Sequence, residues 1–135
     1  MKDIRPALRE FLLGDSNIVA LVVARVFPVA MPQGTKLASV VYQRISGEGD
    51  YTMQGASGYF RPRVQIAAWA KDADAAITLA NAVKTRLDGY SGDMGTGSNL
   101  VKVQGVFLAG EREMYDDQVQ MFGVMRDWFI HHAEL

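Results

Sequence analysis

The run from Val119 to Ile130 is apolar on both of its alternating sides. Val119, Met121, Met125 and Phe129 point one way, while Phe122, Val124, Trp128 and Ile130 point the other. A strand of this kind belongs in a sheet that is covered on both faces, which removes most small one-layer folds. The rest of the chain has to supply that cover. One long helix follows three strand-like runs, too little to cover a wide sheet. Either the N-terminal helices lie on the second face or another subunit buries it.

The helices are marked by caps and by spacing. Ile4, Ala7, Leu8, Phe11 and Leu12 recur at helical intervals after Asp3, with Pro6 in the tolerated first turn and Gly14 at the end. Asp15-Ser16 can cap a short second helix carrying Ile18, Leu21 and Val22. Asp72 opens the long helix, whose stripe is Ala76, Leu79, Ala80, Val83 and Leu87. Lys84 and Arg86 lie at its negative end, and Gly89 closes it.

Strands fill the intervals. Arg25 to Val29 reads as an edge strand, because Pro28 cannot donate to a ladder. In Val40 to Ser46, Val40, Tyr42 and Arg44 face away from Val41, Gln43 and Ile45. In Tyr59 to Trp69, Phe60, Val64, Ile66 and Ala68 alternate with Tyr59, Arg61, Arg63, Gln65 and Trp69. Tyr90 to Asn99, with its glycines and serines, reads as a mobile loop. Leu100 to Leu108 and Val119 to Ile130 are the last strands, joined by the charged link Ala109 to Gln118 as an extended hairpin. The expected class is α+β: a single domain, 1–135, with an antiparallel sheet of four to five strands packed by one long helix and the N-terminal helices.

Between two of these strands lies Gly47 to Gly58, twelve glycine-rich residues. A connection of that length in a small domain marks backbone that reaches a partner. It holds no Cys, His or Lys, so it reads as a binding arm through Asp50, Tyr51 and Met53 and not as a reactive site. The chain has no cysteine at all, which removes disulfides and thiolate metal sites. Fourteen basic and fifteen acidic residues give a net charge of -1, so bulk attraction to nucleic acid or anionic membrane is absent. No apolar run approaches the roughly 20 residues that span a bilayer, and the first residues lack a signal-peptide core. A soluble, unexported chain is expected.

Catalytic and metal chemistry find little support in the sequence. His131 and His132 are consecutive and point to opposite faces, so they cannot share a metal, and they read as a solvated chain end. The carboxylates Glu111, Glu113, Asp116 and Asp117 have no accompanying nucleophile or base and read as a solvated hairpin. Gly92 to Gly97 lacks the Gly-Lys-Ser/Thr ending of a phosphate loop. No catalytic residue, metal ligand or cofactor is expected. Tyr42, Arg44, Tyr59, Arg61, Arg63 and Trp69 form the alternative worth keeping, a sheet-surface platform for single-stranded nucleic acid. The slightly acidic charge and the lack of an RNP-like pattern favour a protein interface for them.

Taken in order, several segments carry a family resemblance. They are Pro6-Ala7-Leu8-Arg9, Arg25-Val26-Phe27-Pro28, Pro32-Gln33-Gly34, Val40 to Gly47, Asp50-Tyr51-Thr52, Arg63-Val64-Gln65-Ile66 with Trp69-Ala70, Leu79 to Val83, Leu87-Asp88-Gly89, Val106-Phe107-Leu108, Glu111-Arg112-Glu113 and Tyr115-Asp116. Together they resemble the tail completion proteins of long-tailed phages and prophages, also called tail terminator or head-to-tail joining proteins. The resemblance implies a virion tail subunit, assembled in the host bacterial cytoplasm. It would form a hexameric ring that ends the tail tube and presents a surface to the head connector or stopper. DNA would pass only as cargo, and neither membrane nor catalysis is implied. The residue reading places the partner surfaces at Asp50, Tyr51, Met53, Arg61, Arg63, Glu111, Arg112, Glu113 and Tyr115.

Overall fold

A computed structural model describes residues 3–134. Helix α1 spans Ile4–Leu13, and the Asp3 carboxylate accepts from the Arg5 N–H at its start. Helix α2, Ser16–Val22, is capped in the same way by Asp15, and α3, Ala73–Leu87, by Asp72, which accepts from the Ala75 N–H. Each cap satisfies a donor that the first helical turn leaves open. The strands are β1 Val26–Pro28, β2 Ser39–Thr52, β3 Gly55–Ala70, β4 Gly92–Met94, β5 Val101–Asp116 and β6 Met121–Ala133.

They form one six-stranded sheet in the order β1-β2-β3-β6-β5-β4. The mixed α+β class holds, but the strand count and the pairing differ from expectation. A sixth strand, β4, lies inside the predicted loop Tyr90 to Asn99 and pairs with β5 through Gly92↔Val103 and Met94↔Val101. Its only apolar side chain, Met94, is fully buried. β1 runs parallel to β2, Val26 opposite Val40, so the sheet is not wholly antiparallel. The last strand begins at Met121 and continues through His131 and His132, which are therefore not a solvated chain end.

The largest correction concerns Gly47 to Gly58, which is not a loop. β2 and β3 pair almost to their ends, Gly47 opposite Pro62 and Thr52 opposite Gly55, leaving Met53-Gln54 as the turn. Register shifts fall between Arg44 and Ser46 and between Gly49 and Tyr51. At position 47 the Phe60 ring lies over the glycine, and an added Cβ would force that ring to move.

All three helices pack on one face. Leu8, Leu12, Ile18, Leu79 and Leu87 meet Val40, Val64, Ile66, Val103, Val106, Val124, Trp128 and Ile130 in a single core. The option that the N-terminal helices cover the second face is thereby excluded. That face holds only a small cluster, Val41, Ala67 and Met125, with Met31 and Trp69 packed against it. Phe107 on the same side is 51% exposed.

Candidate assembly interface

The nine residues singled out in the sequence do not converge. β6 ends beside Tyr59, with Ala133 opposite, and begins at the other end of the sheet, where Met121 opposes Asp116. The β2–β3 hairpin therefore extends past one end, and the β5–β6 hairpin turns at the other. Asp50, Tyr51, Met53 and Arg61 belong to the first. Glu111, Arg112, Glu113 and Tyr115 belong to the second, and Arg63 lies between them on the helix-free face.

The first group is a protruding tip with an anchored base. Met53 is fully exposed and Tyr51 is 74% exposed. At the base, the Ser57 hydroxyl donates to Asp50 at 2.7 Å, and Arg61 lies 3.6 Å from Asp50 and 3.9 Å from Glu48. The Thr52 hydroxyl accepts from the Gln54 N–H and donates to the Gly55 carbonyl, which stiffens the turn. Two apolar side chains are thus held in water by ordered backbone, an arrangement suited to a contact.

The second group mixes structural and exposed side chains. Glu111 is not available as half of a carboxylate pair, because Arg126 holds its Oε1 at 2.6 Å. Arg126 itself is buried and also donates to the Ala80 carbonyl and to Asn81 Oδ1 on α3. This buried arginine, which ties the sheet to the helix, was not singled out in the sequence. Its signal was parity, since Arg126 falls on the same side as Val124, Trp128 and Ile130, where a charge needs partners. Arg112 donates to the Met125 sulfur at 3.4 Å and, among the described residues, forms no ion pair with a carboxylate. Tyr115 stacks at 4.7 Å on Phe122. With Ile77, Met114 and Ala76 these rings line an open groove of about 300 Å³ beside the start of α3.

The helix-free face does not present the nucleic-acid platform. Tyr42 and Arg44 lie on the helix side, with Tyr42 buried. Arg63 is held by Asp127 at 2.8 Å over the Phe129 ring, and Arg61 by Glu48 and Asp50. These arginines meet acids within the subunit. His131 meets Phe107 edge-on with ring centroids 5.1 Å apart, while His132 is fully buried on the opposite side. Burial lowers the pKa of both histidines below the ordinary value, and Arg61 adds to the effect at His131.

A family model described as tail completion protein gp17 matches residues 6–127, a segment that begins inside α1 and ends midway along β6. The chain belongs to the tail completion protein gp17 family. As a member it is a structural protein of a phage-like tail. A chain in the virion of a native gene transfer agent particle superposes with a TM-score of 0.68, covering 93% of this chain and 91% of that chain at 18% identity. At that identity the match concerns the fold, and it extends over nearly the whole subunit. No curated protein sequence matches. Within the family frame, the two hairpins are the parts of this tail completion subunit that expose apolar side chains on ordered strands. Among the described residues no helix is long and apolar enough to cross a membrane.

Proposed function

We propose that this tail completion protein assembles into a ring, a hexamer, on the head-proximal end of a phage-like tail tube. The ring stops tube growth and offers its other side to the head connector or stopper protein. The observation that carries the reading is the family match across residues 6–127. The geometry fits the role. A ring uses two different, complementary surfaces of one subunit, and this subunit has hairpins at opposite ends of its sheet. Tyr51 and Met53 form the contact tip of one, and Arg112, Glu113 and Tyr115 the contact side of the other. Asp50 and Arg61 hold the first hairpin, Glu111 the second, and Arg63 pairs with Asp127 on the helix-free face. Near-neutral charge lets DNA pass without binding the subunit. The role calls for no cofactor and no catalytic step. Light scattering of the purified protein tests it: a closed oligomer of fixed mass is expected. A monomer that neither oligomerises nor associates with tail tubes would overturn it.

A further inference from the structure

The sheet order leaves two stretches of strand backbone without an outer neighbour. β1 accompanies β2 only as far as Tyr42, whose carbonyl accepts from the Val29 N–H. On the opposite side β4 pairs with β5 over Val101–Val103, and the Gly89 N–H reaches the Val106 carbonyl. Among the described residues, nothing pairs with the outer side of 43–52 in β2 or of 107–116 in β5. Exposed edges are commonly guarded by Lys or Pro. Neither of these stretches contains either residue; each does carry charges and at least one register shift, at Arg44/Ser46 and Gly49/Tyr51 in β2 and at Leu108/Gly110 in β5, and beyond those shifts its backbone stays open. Both instead expose apolar side chains: Ile45 and Tyr51 on one, Leu108, Met114 and Tyr115 on the other.

We infer that these edges are each other's partners, with β2 of one copy adding antiparallel to β5 of the next copy so that neighbouring sheets become continuous. The inference rests on the ring reading above and specifies its interface. Strand direction agrees. β2 is antiparallel to β3, β3 to β6 and β6 to β5, so β2 and β5 run oppositely within one subunit. Copies related by rotation about a common axis therefore bring the two edges together antiparallel.

The offset between the edges agrees as well. The middle of the β2 edge, Gly47-Glu48, lies opposite Pro62-Arg61 of β3. The middle of the β5 edge, Glu111-Arg112, lies opposite Arg126-Met125, which lies opposite Ile66-Ala67 of β3. The edges are thus displaced by about five residues along the strands, roughly 16 Å at the usual rise. Crossing the four long strands covers about 19 Å at the usual strand spacing. That ratio corresponds to a strand tilt of about 40°, within the roughly 35–45° at which sheets close on themselves. A flat edge-to-edge ribbon would not need this diagonal placement, whereas a closed ring does.

Charge supplies the register. Glu48 lies on the helix-free face opposite Arg61, and Arg112 lies on that same face opposite Met125. When the two edges are centred on one another, Glu48 comes within a residue of Arg112. Arg112 then gains the carboxylate that it lacks among the described residues of its own subunit.

The cysteine-free chain makes the test direct. Glu48→Cys and Arg112→Cys variants, mixed and treated with a short bismaleimide, should give cross-linked dimers, while each variant alone should not. Glu48→Arg and Arg112→Glu should each raise the concentration needed for assembly by roughly tenfold or more, and the double variant should recover it. Circular dichroism confirms that each variant is folded. If the unmodified protein forms closed oligomers but the mixture does not cross-link and the charge reversals have no effect, edge pairing is wrong and the ring reading stands. If the unmodified protein is monomeric and the mixture does not cross-link, both fall.

Discussion

Replacing Glu111 with Ala removes the only carboxylate that, among the described residues, meets the buried Arg126 guanidinium. The guanidinium keeps two neutral acceptors, the Ala80 carbonyl at 2.8 Å and Asn81 Oδ1 at 3.1 Å, but loses its counter-charge. Breaking a fully buried pair costs about 3–5 kcal/mol, and a hydrogen bond to a charged group about 1.5–3 kcal/mol. The Glu111 side chain is 44% exposed, so water replaces part of the loss and the lower range applies. We expect Glu111→Ala to destabilise the protein by about 2 kcal/mol, a fall in Tm of roughly 6–10 °C for a domain of this size. Arg126→Met behaves differently. It preserves the apolar stem, removes the buried charge and leaves Glu111 able to hydrate. The Ala80 carbonyl remains available to the backbone N–H four residues on within α3. That variant should stay within about 1 kcal/mol of the wild type. Urea denaturation at fixed protein concentration measures both, because assembly would otherwise shift the apparent stability. An Arg126→Met loss equal to or larger than the Glu111→Ala loss would show that the buried guanidinium does not depend on Glu111 as its counter-charge.

Three further outcomes are expected. Tyr51→Ser with Met53→Ser should change subunit stability by less than about 0.5 kcal/mol, because both side chains are exposed, yet abolish oligomers in light scattering. Leu79→Ala should cost about 2–5 kcal/mol by leaving a cavity between α3 and the sheet, which thermal denaturation measures. Stability should also fall as pH falls through the titration of His132, whose Nδ1 lies 2.8 Å from the Ala133 carbonyl and whose Nε2 is buried without a hydrogen-bond partner among the described residues. Burial lowers its folded-state pKa below the ordinary 6.5. Above 6.5 the full contribution is present. Below it the unfolded chain takes up a proton that the folded chain refuses, so stability declines until the folded pKa is passed. Denaturation curves across that range should flatten in His132→Leu.

The parts of the fold legible in the sequence were those set by neighbouring residues. Asp3, Asp15 and Asp72 marked the helix starts, and the spacing of Leu79, Val83 and Leu87 marked the buried face of α3, because both signals act within a turn or two. Pairing between distant strands left fainter traces. Gly47, Gly49 and Gly55 read as loop residues, yet each is paired across the β2–β3 hairpin, where the Phe60 ring lies over Gly47; Gly58 falls in the register shift and its carbonyl accepts from the Glu134 N–H. β4 carries only Met94 as an apolar anchor, and no local signal separates Gly-Asp-Met in a strand from the same residues in a turn. The parallel direction of β1 depends on the course of the β1–β2 connection. Among the candidate interface residues, the exposure of Tyr51 and Met53 was legible because apolar residues among glycines have little to pack against. The engagement of Glu111 by Arg126 was missed because charged hairpins are ordinarily solvated, although Arg126 fell on the apolar side of its strand.

Negative-stain imaging of tail tubes grown with and without the purified protein tests whether the subunit ends a tail tube by forming a ring on it. Tubes should stop lengthening and carry an added ring at one end only, with no such ring for Tyr51→Ser/Met53→Ser. Tubes that grow unchecked with no density at either end, in the presence of folded wild-type protein, would contradict tube termination by this subunit.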